Sequence, residues 1–469
     1  MKTTPQVKLL IPVICSAFLL SGCWLDDDDD EVVELAPPPV VIVANANVRV
    51  VHASPDAPTV DIILDGTPVS SKLDIDYQDA SAWVEIPAST YDIAVEANLP
   101  GDDANVLALS ATLAGDQTYT ILAIGSVAQG TLEALLVENT LTAVTDGNVR
   151  AQVVHAAPNA PEVDVYVTAP DTVLSTEQPL ATLAYRAFTG QVEVPAGDYQ
   201  IRITPAGSTT VVFDSGTLSL EAGSDLLISA TQNVVTGSSP VSLVIATGAG
   251  SATLLDKDTP AEIRAVHGVA DAPAVDIIAN NALTLFDGAA FKGATGYIEV
   301  AAGDYLIDVA ADADNTVVVI DDAPISLTAG MRYTAIANNT LENIDLDLII
   351  DTPRKIATAV QVRIFHASQA TPNVDIYVTA DGEIANVSPA FSDVPYATGA
   401  LAETGYVQLP AGDYVVTVTP TGTKTEAIET GVLSLVAGEI YTAFAVDGDM
   451  EGDAPQLILL DGFVTPVSE

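Results

Sequence analysis

The stretch "NVRVVHASPDAPTVDIILDG", residues 47–66, decides how this chain reads. It holds His52, one of only four histidines. The other three stand in matching stretches: "QVVHAAPNAPEVDVYV" at His155, "RAVHGVADAPAVDIIA" at His267 and "RIFHASQATPNVDIYV" at His366. In each copy a proline follows the histidine by six residues and an aspartate by nine, which picks out Asp61, Asp164, Asp276 and Asp375. The pattern is either a site used four times or a structural corner built four times.

Strand parity favours the corner. In "NVRVVHA", Val48, Val50 and His52 fall on one face and Arg49 and Val51 on the other, and Val362, Ile364 and His366 repeat the arrangement. Each histidine therefore ends a strand on an apolar face, where it can bond the following loop. In the next run Val60, Ile62 and Leu64 point inward and Asp61 outward. Arg49, Arg264 and Arg363 each precede the aspartate of their copy by twelve residues, so a hairpin register predicts cross-strand Arg–Asp pairs on the outer face. The second copy has Gln152 at that position, with Arg150 two residues earlier and able to reach Asp164 diagonally.

Three further landmarks recur in the same order at a period of about one hundred residues. "VEIPASTYDIAV", "VEVPAGDYQIRI", "IEVAAGDYLIDV" and "VQLPAGDYVVTV" align Tyr91, Tyr199, Tyr305 and Tyr414. "LAGDQTY", "LEAGSDL", "LTAGMRY" and "LVAGEIY" come next, with Leu227 where the other copies have Tyr119, Tyr333 and Tyr441. Apolar closing strands complete each unit. Short alternating runs punctuated by Gly, Pro, Asp and Asn, with no long helical pattern, predict an all-β chain of four tandem immunoglobulin-like β-sandwiches. The boundaries read as 47–146, 147–258, 259–355 and 356–469. The linkers are short, so the units are expected as closely spaced beads, each burying its own core. The tyrosines after the "AGD" turns resemble the tyrosine corners of such sandwiches.

The "VRVVHASPDAPTVDI" stretch, recurring with "PAGDY" and "LAGDQTY", resembles the bacterial family known as domain of unknown function 4397. The resemblance runs from Asn47 to the end of the chain. It implies a sandwich-like fold in exported, often lipid-anchored proteins that carry the domain in tandem. It brings no activity, cofactor or catalytic residue.

The first 46 residues read as an address. Lys2 and Lys8 precede "LLIPVICSAFLL", an apolar run too short to span a bilayer as a helix but suited to a signal peptide over residues 1–22. "LSGC" ends at Cys23 and resembles the lipobox of bacterial lipoproteins, so Cys23 is the expected lipidation site. Residues 23–46 form a tether. Its charges Asp26 to Asp30 repel one another and Pro37 to Pro39 favour extension, giving a reach of roughly 75 Å. By resemblance to lipoprotein sorting rules, Trp24 after the cysteine suits the outer membrane. Cys15 leaves with the signal, so no disulfide is expected.

Against 63 acidic residues stand 15 basic ones, for a net charge of −48. That surface repels nucleic acid. It could hold calcium loosely at the acidic stretches "PGDDAN", "DADNT" and "DGDMEGD", but no dedicated calcium loop and no cofactor site is evident. A zinc site needs three or four protein ligands, and each unit offers one histidine and no cysteine. No nucleophile and base stand in a recognisable pattern. The expected function is therefore non-enzymatic: a lipid-anchored protein of the bacterial cell envelope acting as scaffold, spacer or adhesin-like binder of an envelope protein or polysaccharide. The alternative is a dedicated carbohydrate-binding lipoprotein, with Tyr166 and Tyr377 as the aromatic contacts.

Overall fold

A computed structural model describes residues 44–69, 74–101, 103–397, 400–450 and 452–464. The expected signal peptide, Cys23 and nearly all of the expected tether lie outside the described residues, and no described helix is long and apolar enough to cross a membrane. The described chain is built of strands, with two 3₁₀ turns.

Repeat 1 shows the plan. Its strands are β1 (Asn45–His52), β2 (Val60–Leu64), β3 (Thr67–Pro68), β4 (Val84–Pro87), β5 (Ser89–Ala97), β6 (Ala104–Leu113), β7 (Gln117–Ile124) and β8 (Glu133–Thr140). They form two sheets, in the orders β4-β1-β7-β8 and β3-β2-β5-β6. Val, Ile and Thr suit these half-buried surfaces, where their stiff side chains pack well on the pleat. Asp65 and Gly66 both adopt positive φ, 47° and 76°, between the paired Leu64 and Thr67. That is the two-residue primed turn whose twist matches the flanking strands. β1 and β7 run parallel, with Val50 opposite Ile121. Parallel neighbours need a long crossover, and here the connection passes through the other sheet.

The other repeats copy this core. The histidine strands Asn148–His155, Ala261–His267 and Val360–His366 lie parallel to Asp225–Gln232, Arg332–Asn338 and Ile440–Val446. The aspartate strands Val163–Thr168, Val275–Ala279 and Val374–Thr379 lie antiparallel to Gly197–Pro205, Gly303–Ala311 and Gly412–Pro420. Each tyrosine corner closes alike: the hydroxyls of Tyr91, Tyr199, Tyr305 and Tyr414 donate to the carbonyl four residues back, at 2.8 to 2.9 Å.

Every repeat encloses its own core, such as Val48, Val50, Ile62, Ile93 and Ile121 in repeat 1. Two more clusters lie between repeats. Val51, Leu122 and Val137 of repeat 1 pack on Val154, Leu227 and Val244 of repeat 2. Val266, Ile336 and Ile349 of repeat 3 pack on Phe365, Phe444 and Ile458 of repeat 4. The outer face of each histidine sheet is thus buried against its neighbour, and burying a large apolar side chain contributes about 1.5–3 kcal/mol. The repeats are not separable beads but two face-to-face pairs. Polar ties reinforce each pair: Tyr77 Oη donates to Gln232 O at 2.5 Å, Arg186 meets Glu133 at 2.9 Å and Lys292 meets Asp449 at 2.7 Å.

The linker between repeats 3 and 4 joins one pair to the other. Arg354 donates through Nε to Pro55 O at 3.1 Å, through Nη1 to Asp76 at 2.6 Å and through Nη2 to Ala57 O. Ala357 N–H adds a bond to Asp56 O at 2.8 Å. One arginine thereby occupies the carbonyls of the first histidine loop.

Candidate functional site

Each histidine sits under the corner that joins the two sheets, and His52 has no solvent exposure. Its Nδ1 accepts the Ser54 amide at 3.3 Å, which leaves the proton on Nε2, and Nε2 donates to Pro58 O at 2.8 Å. His267 and His366 make the same two bonds, to Val269 N and Pro273 O and to Ser368 N and Pro372 O. His155 bonds Pro161 O at 2.9 Å. An aromatic ring meets each imidazole edge-on at 6.0 to 6.2 Å: Tyr77, Tyr185, Phe291 and Tyr396. Burial pulls all four histidines below their ordinary pKa, His52 to about 4. These rings are neutral and committed to backbone.

The aspartates sit in the other sheet and clip loops. Asp164 accepts from Thr182 Oγ1 and from Gly207 N at 2.7 Å. Asp375 accepts the amides of Asp393 and Gly422, both at 2.9 Å, Asp61 accepts that of Asp74, and Asp276 that of Gly288. The expected Arg–Asp pairs do not form. The histidine and aspartate strands belong to different sheets, because the intervening loop crosses the sandwich and no hairpin forms. The outward aspartates are nonetheless buried, beneath the loops they hold. Asp375→Ala removes the acceptor of two part-buried amides and is expected to cost roughly 1–3 kcal/mol in all. Denaturant unfolding of the full chain measures the loss, and Arg363→Ala should add to it independently.

The arginines instead stack on aromatics at the repeat junctions. Arg49 lies 4.2 Å from the Trp83 ring and donates to Thr120 Oγ1 and, across the pair, to Thr247 O at 2.7 Å. Arg264 lies 4.5 Å from Tyr297 and donates to Thr334 Oγ1 and to Asp461 of repeat 4 at 2.7 Å. Arg363 lies 4.8 Å from Tyr406 and donates to Ile350 O of repeat 3 and to Glu403. In repeat 2 both partners change together: Gln152 replaces the arginine and Gln191 the aromatic. Gln152 there accepts from Asn139 of repeat 1, while Arg150 pairs with Glu193 and Asp225 and holds the linker carbonyls of Thr142 and Ala143. The residue just before "VEIP", "IEV" and "VQL" was the available signal for these stacks, and sequence reasoning passed over it.

Between repeats 3 and 4 the stacks line a cleft of about 680 Å³, bordered by Tyr297, Tyr406, Arg332, Lys355 and Glu439. Asp351 is buried in its floor. Its Oδ2 accepts from Tyr297 Oη at 2.8 Å and from Thr334, and burial raises its pKa against the pull of Arg264. Tyr166 and Tyr377, the aromatics singled out for sugar contact, are buried instead.

Acidic side chains gather twice in repeat 3, as Asp276, Asp287 and Asp312 and as Asp308, Asp321 and Asp322. The stretch from Asp447 is spoken for internally: Asp447 accepts from Ser368 and Ala370, and Asp449 pairs with Lys292.

Two-sheet repeats with a shared histidine corner, packed in pairs, define a tandem β-sandwich protein. Residues 46–166 and 261–377 match the family model described as Domain of unknown function (DUF4397). The two matches span just over half of the sequence, and the chain belongs to this family. Each match takes in one whole repeat and runs to just past the signature aspartate of its partner, so it carries both corners of a pair. No curated protein matches the chain. Sixteen solved chains match, among them that of the Bacillus anthracis TIE protein. It is 12% identical over 87% of this chain and 69% of its own, with a TM-score of 0.15, a likeness that carries no argument about fold or function.

Proposed function

We propose that this is a non-enzymatic recognition head of the bacterial cell envelope, anchored in the outer membrane by lipid on Cys23 and held off it by the acidic tether. The observation that carries the reading is the pairing of repeats through shared cores, clasped by Arg354. A flexible spacer needs no buried faces between its units, whereas a binding surface composed from two repeats needs them held in a fixed relation. The histidines support a non-catalytic role, since each Nε2 is engaged by a proline carbonyl inside the corner. The lipobox-like "LSGC" supports the anchor.

Proximity labelling by the full chain on intact cells tests the reading. It should mark envelope components, and Cys23→Ser should abolish both palmitate incorporation and the labelling pattern. Turnover of a substrate panel that is lost on substituting any one histidine would overturn it.

A further inference from the structure

The cleft between repeats 3 and 4 combines three properties. Tyr406 lines it while bearing the Arg363 guanidinium at 4.8 Å. Asp351, 4% exposed as a side chain, closes its floor as an ion-paired carboxylate, with Arg363 Nη1 3.5 Å from Oδ1 and Tyr297 and Thr334 bonding Oδ2. The rim, in contrast, is charge-balanced: Arg332 pairs with Glu262 and Lys355 with Glu439, each at 2.6 Å. On a chain of net charge −48, this neutral, donor-and-acceptor-rich concavity selects for an uncharged polar ligand.

The other pair shows what the same wall does when the chain itself covers it. Trp83 with Arg49 is the counterpart of the aromatic–arginine stacks, and residues 247–250 close over it. Trp83 N–H donates to Gly248 O at 3.2 Å, Arg49 donates to Thr247 O, and a Cβ at Gly248 would stand 3.2 Å from Trp83 Cδ1. A flat surface against the ring and oxygen atoms beside the guanidinium thus satisfy the wall. A pyranose offers both.

We propose that this cleft binds an oligosaccharide, with a sugar ring against Tyr406 and hydroxyls bonding Lys355 and Glu439. The proposal rests on the recognition-head reading and names its ligand class. Calorimetry of the full chain with chitohexaose, cellohexaose, mannohexaose and laminarihexaose at millimolar concentration tests it. At least one should bind. Tyr406→Ala should weaken that binding at least tenfold, Tyr406→Phe should keep it within about threefold, and Trp83→Phe in the other pair should leave it unchanged. Binding by none of the four, or binding unaltered in Tyr406→Ala, overturns the proposal. Envelope components still labelled on intact cells would then leave the recognition-head reading standing without the glycan.

Discussion

Phe444→Ala is expected to lower the stability of the chain by about 3–5 kcal/mol, the range for removing a fully buried aromatic. Phe444 has no solvent exposure, stacks on Phe365 with ring centres 4.6 Å apart, and belongs to the cluster that repeat 4 shares with Val266, Ile336 and Ile349 of repeat 3. Truncation opens a cavity lined by both repeats, and rigid strands on each side resist its collapse. Denaturant unfolding followed by circular dichroism measures the loss. Phe188→Ala, at a ring 41% exposed, is the comparison and should stay within about 0.5 kcal/mol. A Phe444→Ala loss no larger than that would remove the shared core from the account.

The second large effect is acid sensitivity carried by the histidines. In the unfolded chain a histidine protonates near its ordinary pKa of 6.5, whereas burial holds folded His52 neutral down to about 4. Above 6.5 both states are neutral and the stability is fully present. As pH falls from 6.5 towards 4 the unfolded state gains the proton first, so stability falls. His52 alone is worth roughly 3 kcal/mol over that window, at about 1.4 kcal/mol per pH unit. Arg354, Asp76 and Asp56 face it, the arginine favouring the neutral ring and the two carboxylates opposing it. His155, His267 and His366 shift in the same direction. The interval from 6.5 to 5 lies above the ordinary carboxylate range and so weights the histidines, while burial raises Asp79, Asp347 and Asp351 and acts in the opposite direction. Unfolding free energy measured across that interval should fall by at least about 2 kcal/mol. A flat profile, or histidine ring signals that titrate near 6.5 in the folded protein, would refute the assignment.

Much of this was legible in the sequence because side-chain parity is a local property. Val48 and Val50 point into the core of repeat 1 as alternation requires, and Tyr199, Tyr305 and Tyr414 bond as their position after the glycine turn suggests. The shared cores were written there too. Val51, Val154, Val266 and Phe365 place an apolar residue on the outer face in all four repeats, the mark of a strand buried on both sides. Reading each repeat as a closed bead hid that signal. Strand partners were not legible. The nine-residue step from His52 to Asp61 fits a hairpin, but Pro55 and Pro58 stiffen a loop that crosses from one sheet to the other, so Arg49 meets Trp83 and Thr247, not Asp61. The Arg354 clasp joins segments nearly three hundred residues apart in sequence, and no local pattern announces it. The cleft followed from the pairing, and its Tyr297 and Tyr406 gain meaning only once repeats 3 and 4 face each other.

Hydrogen exchange on full-length Phe444→Ala tests the pairing most directly. The substitution lies in repeat 4, but the account predicts faster exchange in repeat 3 as well, in the strand Arg332–Asn338 that carries Ile336 into the shared core. Faster exchange confined to residues 360–461, with Arg332–Asn338 as protected as in the parent, would contradict it.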